Sequence, residues 1–139
     1  MSYTPDYPFP KLDYGETLEV APGIFWVRMP LPFALNHINL WLLADGDEWT
    51  VVDTGYNVDQ SREIWDDVLS RIAGNRPVKR VICSHFHPDH LGLAGWFEER
   101  FEAPLWMTYT EWLQAHVAVS ETLTHNFDRW IEFYRDNGC

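Results

Sequence analysis

The rhythm of apolar and polar positions changes several times along this chain. Glu16 to Val20 and Ile24 to Met29 are β-like runs flanking the turn signal Pro22-Gly23, and Ile38 to Leu43 and Trp49 to Val52 flank the polar Asp45-Gly46-Asp47-Glu48. Two hairpins are predicted. From Asn57 the period lengthens: Ile64, Val68, Leu69 and Ile72 recur at helical spacing, Asn57 and Gln60 are placed for a capping box, and Gly74 supplies the stop. A helix over 60–73 follows. After Pro77, the run Val78-Lys79-Arg80-Val81-Ile82-Cys83 ends apolar without alternation, as expected of a strand covered on both faces.

Strand 49–53, helix 60–73 and strand 79–83 make a βαβ unit. A second helix is expected from Gly92 to Arg100, then a short strand from Pro104 to Met107. Beyond it, Trp112, Val119, Leu123, Phe127, Trp130, Ile131 and Tyr134 stand mostly three or four apart, which predicts one or two helices over an aromatic-rich tail, residues 109–139. Residues 1–14, broken by Pro5, Pro8 and Pro10, read as an irregular arm, and 15–108 as the β-rich core of one domain. The order of hairpins followed by βαβ is that of an α/β sandwich, with sites expected at strand ends.

Composition narrows the partners. Eight Trp, eight Phe and six Tyr in 139 residues demand buried aromatic surface, so the chain is globular. A formal charge of −11, with no basic stripe, repels a phosphate backbone and predicts no nucleic-acid partner. With neither a signal-peptide pattern near Met1 nor an apolar run of membrane-spanning length, a cytoplasmic location with no membrane partner is expected. Cys83 and Cys139 are too few for a disulfide framework, and Cys83 reads as a small buried residue.

The chemistry is concentrated in Ser84-His85-Phe86-His87-Pro88-Asp89-His90-Leu91-Gly92. Imidazole and carboxylate are ligands that Zn²⁺ and Fe²⁺ prefer, and His-X-His on extended backbone puts both rings on one side. His85 and His87 can therefore grip one ion. Pro88 turns the chain and aims Asp89 and His90 elsewhere, toward a second ion, while Gly92 lets the backbone pass close by. Buried without a partner, such groups cost about 1–3 kcal/mol each, so metal binding is the economical reading.

The segment His85 to Gly92 resembles the His-X-His-X-Asp-His signature of the metallo-β-lactamase fold superfamily, and Thr50-Val51-Val52-Asp53-Thr54-Gly55 resembles its upstream strand ending in Asp-Thr-Gly. The resemblance covers residues 15–108 and implies the N-terminal half of an αββα sandwich. By position it implies that His85 and His87 hold the first metal and Asp89 and His90 the second, with Asp53 beneath them orienting a ligand or nearby amides; a turn or helix cap is the local alternative for Asp53.

The implied cofactor is Zn²⁺, two ions in the complete protein, with iron or manganese as alternatives. The implied activity is glyoxalase II-like hydrolysis of a small thioester, lactone or other ester by a metal-bound hydroxide, which Asp89 would orient as a catalytic residue. A mononuclear iron oxidoreductase of the persulfide dioxygenase type and a non-catalytic metal-binding domain are the alternatives; flavodiiron enzymes are disfavoured because they carry an acidic residue where His87 stands. The family's remaining ligands lie in its second half, so the partners expected are a small-molecule substrate and a missing C-terminal half, and this chain alone should turn over little. His37, His116 and His125 read as surface or packing residues, although His37 also suits a substrate entrance. The tail would pack on the missing half or wall the substrate.

Overall fold

A computed structural model describes residues 8–74, 76–120, 131–132 and 135–136. The four early β-like runs form a meander: β1 (Thr17–Ala21), β2 (Ile24–Pro30), β3 (His37–Asp45) and β4 (Glu48–Val52) pair antiparallel in chain order. Helix α1 (Asp59–Val68) and a π-helical turn (Leu69–Ala73) cross to β5 (Val78–Ile82), which pairs parallel with β4, and β6 (Leu105–Trp106) adds a second parallel neighbour. The result is one six-stranded sheet in the order β1 to β6. Gly74 ends the helical segment at φ 59°, as the sequence predicts.

The structure corrects the helix boundaries. No side chain caps α1; Val58 is its N-cap, and the Asn57 oxygen expected in a capping box instead accepts from the charged Arg62 guanidinium. The helix expected from Gly92 is two pieces, α2 (Pro88–Leu91) and α3 (Ala94–Phe101), parted at Leu93. Pro88 starts the first because a helix's first position needs no N–H. In the tail, α4 (Tyr109–Val119) is helical and begins at Thr108, whose side chain accepts from Glu111 N. Leu123, His125, Phe127, Trp130 and Tyr134 lie outside the described residues.

The core forms on one face of the sheet. Val27, Leu40, Leu42, Val51 and Val81 are fully buried there against Trp65 and Val68 of α1 and Phe97 of α3. Trp65 meets Phe97 edge to face, with ring centroids 5.3 Å apart, and donates its indole N–H to Thr54 O at 2.7 Å. This bond ties the core to the loop that follows β4.

The other face is apolar but only partly covered. The register aligns one side chain from every strand in a single row: Leu18, Trp26, Trp41, Val52, Ile82 and Trp106. None is fully buried, and Trp106 is 54% exposed. Val78 and Val81 of β5 are buried, but the expectation of cover on both faces fails at Ile82, which belongs to this open row.

Candidate metal centre

The parallel pairing of β4 and β5 brings the loops after both strands to one edge, where ligand sites of open α/β sheets gather. Asp53 follows β4 with φ 60°, a left-handed conformation that Asp tolerates better than most residues. Its carboxylate, 7% exposed, reaches across to the loop after β5. Oδ1 accepts Ser84 N at 2.7 Å, and Oδ2 accepts Ser84 Oγ at 2.8 Å and faces His90 Nδ1 at 2.9 Å. Engaging Nδ1 in this way fixes the His90 tautomer and leaves Nε2 as the free donor atom.

Thr54 closes the same junction. Its N–H and hydroxyl both donate to His90 O, at 2.7 and 2.8 Å, and its oxygen accepts Leu93 N at 3.0 Å. α2 is thus tied at its C-terminal end to the loop after β4, while in its own first turn His87 O accepts from the N–H groups of His90 and Leu91. Gly92 lies where the two loops touch, and a Cβ there would come within 2.3 Å of Pro88 O and 2.8 Å of Gly55 O. The sequence expectation of a close backbone approach at Gly92 is met.

The donors form two pairs. His85 Nε2 and His87 Nδ1 face each other 3.2 Å apart, with the rings on one side as the His-X-His spacing predicts. His90 Nε2 lies 3.5 Å from Asp89 Oδ2. Two nitrogens on one tetrahedral zinc, at about 2.0–2.1 Å from it, are about 3.3 Å apart, so both spacings suit a shared ion. Among the described residues no three His, Cys, Asp or Glu side chains are grouped so as to hold one ion. The turn at Pro88 does not carry His90 far away: its ring centroid lies 3.8 Å from that of His85, and the two pairs adjoin.

The electrostatics favour the neutral form of His85. The pKa of His85 is lowered, first by burial and then by His90 and His87, against the opposite pull of Asp53 and Asp89. Neutral imidazole is the form that binds metal. Burial, and then Asp53, push the Cys83 thiol up to about 12, so it stays protonated beneath the site with Sγ 3.6 Å from His90 O. Its burial agrees with the sequence reading. His37 bonds Asn36 at the start of β3, and His116 bonds Trp112 O within α4; neither joins the cluster.

Three polar residues at the site have no assigned role in the sequence reading. Ser84 Oγ lies within 3.0 Å of His85 Nδ1 as well as bonding Asp53, Thr54 ties the two loops, and Glu111 Oε2 accepts Phe86 N at 2.9 Å. Ser84 and Thr54 adjoin the motifs and were findable by position, whereas Glu111 is signalled only by the Thr108-x-x-Glu111 pattern of a helix start.

An α/β sheet with paired imidazole and carboxylate donors at the carboxyl ends of its parallel strands makes a candidate metal site. The chain belongs to the metallo-beta-lactamase superfamily, whose family model matches residues 34–128. A beta-lactamase domain protein from Burkholderia ambifaria superposes with a TM-score of 0.74 at 44% identity, covering 81% of this chain and 36% of that one. A Bacillus subtilis protein described as "Probable metallo-hydrolase YqjP" is 29% identical over 77 residues, which are 55% of this chain and 24% of that protein. An atrochrysone carboxyl ACP thioesterase from Cryptosporiopsis sp. is 28% identical over 78 residues, 53% of this chain and 23% of its own length. The chain therefore carries part of the fold of a metal-binding hydrolase family, the sheet and helices of the N-terminal half. Among the described residues, no helix is long and apolar enough to cross a membrane.

Proposed function

We propose that this chain supplies half of a two-zinc centre in a hydrolase of small thioesters, lactones or other esters. The observation that carries the proposal is the pairing of donors: His85 with His87 at 3.2 Å, and Asp89 with His90 at 3.5 Å. The second pair favours two ions over a mononuclear iron centre. Bound zinc would polarise a substrate oxygen and bring the pKa of water toward neutrality. The chain's own part is to hold those donors in place: Asp53 fixes His90, Ser84 bridges Asp53 and His85, and Thr54 locks α2 against the loop after β4. Asp89, with one oxygen directed to His90 Nε2, is positioned to orient water as well as to bind. The thioesterase among the relatives supports the carbonyl substrate class.

In the complete protein, His85→Ala and Asp89→Ala are each expected to cost bound zinc, read by elemental analysis after dialysis, and to abolish ester hydrolysis. The 139-residue chain alone is expected to hold zinc weakly and hydrolyse almost nothing. Two firmly retained zinc equivalents in that chain, with chelator-sensitive ester hydrolysis, would sink the proposal.

The partner required is the second half of the fold, seated on the open row Leu18, Trp26, Trp41, Val52, Ile82 and Trp106. Two observations support that occupant: the row is apolar across all six strands, and the chain covers 36% of the Burkholderia chain it resembles. The chain alone should therefore bind a dye such as anilinonaphthalene sulfonate, and Trp26→Lys with Trp41→Lys should reduce that binding with little change in thermal unfolding. Dye binding that is absent, or unchanged in the double variant, counts against this use of the face.

A further inference from the structure

The Thr108-x-x-Glu111 pattern opens α4, and in a capping box the Glu side chain would turn back to the N–H of Thr108. Here it points outward instead. Glu111 Oε2 accepts the N–H of Phe86, the residue between His85 and His87, at 2.9 Å. Among the described residues this is the only hydrogen bond joining α4 to the ligand loop. Glu111 also lies in the first turn of α4, where the helix dipole favours a carboxylate, and a charged acceptor makes a stronger bond to an amide than a neutral one.

The position of that N–H gives the bond its consequence. The amide belongs to the peptide plane joining His85 to Phe86, and holding a peptide plane fixes the backbone directions on either side of it. The Phe86 ring in turn packs edge-on against the His87 ring, with centroids 4.9 Å apart. One carboxylate thus restrains both histidines without touching either. We infer that Glu111 is a positioning residue of the metal centre, holding the Phe86 amide so that His85 Nε2 and His87 Nδ1 keep their 3.2 Å separation. The inference rests on the reading that these two histidines bind metal, and it adds a residue from a different element, 25 positions along the chain.

The test is competition between the complete protein and a chromophoric chelator for zinc, in the wild type and in Glu111→Gln, Glu111→Met and His85→Ala. Gln keeps an oxygen acceptor at the same reach, whereas Met fills similar space with only a weak one. Loss of an outer partner to a metal ligand typically costs 10–100-fold in affinity, so E111M should weaken zinc binding by about that factor and E111Q should retain most of the wild-type affinity. The metal-free forms of both should melt close to the wild type, which separates positioning from a loss of fold. If the Met variant does not fold, Glu111→Ala replaces it with the same expectation.

Wild-type affinity in E111M, or equal weakening in E111Q and E111M, overturns the inference: the first shows the bond is not needed, and the second shows that charge matters rather than the acceptor. His85→Ala keeps the two levels apart. If H85A binds zinc like the wild type, the underlying metal reading fails; if H85A loses zinc while E111M does not, only the role of Glu111 fails.

Discussion

Asp53→Asn should leave the fold standing and strip the site of most of its zinc affinity, by about 10–100-fold. The reasoning is one of proton inventory. The carboxylate only accepts, and its two oxygens serve Ser84 N, Ser84 Oγ and His90 Nδ1. An amide has a single oxygen: placed at Oδ2 it would set its NH₂ group against the Ser84 N–H, which can only donate, so the oxygen goes to Ser84 N. With its oxygen on Ser84 N, its NH₂ group faces His90 Nδ1, which must then become the acceptor. The ring proton moves to Nε2, the atom that pairs with Asp89, and blocks the metal.

Backbone strain does not confuse the result, because Asn suits the φ of 60° at this position as well as Asp does. Asp53→Ala is a poorer probe: it places a β-carbon without a compensating hydrogen bond in the left-handed region and orphans the Ser84 amide, a further loss of about 1–3 kcal/mol. Zinc titration of D53N beside its unfolding curve decides the matter. Wild-type zinc affinity in D53N would show that Asp53 serves the junction between the loops and not the ligand.

The contrast between Asp53 and Glu111 shows what the sequence carries. Asp53 was legible because it ends an apolar run in Asp-Thr-Gly, a pattern matched in a known superfamily at a set distance before the histidines. The two hairpins, the crossover helix and the His-X-His geometry were legible for a similar reason: period, turn residues and ligand spacing are local properties. Glu111 was not, since no local pattern tells which distant amide a carboxylate will meet. The capping box at Asn57 misled because the Arg62 side chain offered a charged donor. The break between α2 and α3 escaped because it follows from contact between two loops. The open row on the sheet had a further cause: apolar residues on both faces of a strand signal burial on both sides, and only the structure shows that one side is partly exposed.

Two glycines separated by two residues should respond to alanine with opposite signs. Gly92 has φ −57° and ψ −32°, open to any residue, so its need for glycine is steric and not conformational. A Cβ there would meet Pro88 O at 2.3 Å, Gly55 O at 2.8 Å and Asn57 N at 3.0 Å, backbone atoms of α2 and of the loop after β4. No rotamer change relieves such contacts. Gly92→Ala must push α2 away from the loop after β4, straining the bonds of Thr54 to His90 O and Leu93 N, at a cost of about 1–3 kcal/mol or more. Because those loops hold Asp53 and His90, zinc affinity should fall together with the melting temperature. Gly95 stands in α3 with nothing within 4 Å of its Cβ position, so Gly95→Ala meets no clash and should gain about 0.5–1 kcal/mol by restricting the unfolded chain. Calorimetry on the pair settles it: a G92A protein as stable as the wild type would mean that the two loops have room to separate, and the close approach at Gly92 would no longer account for how the donors are held.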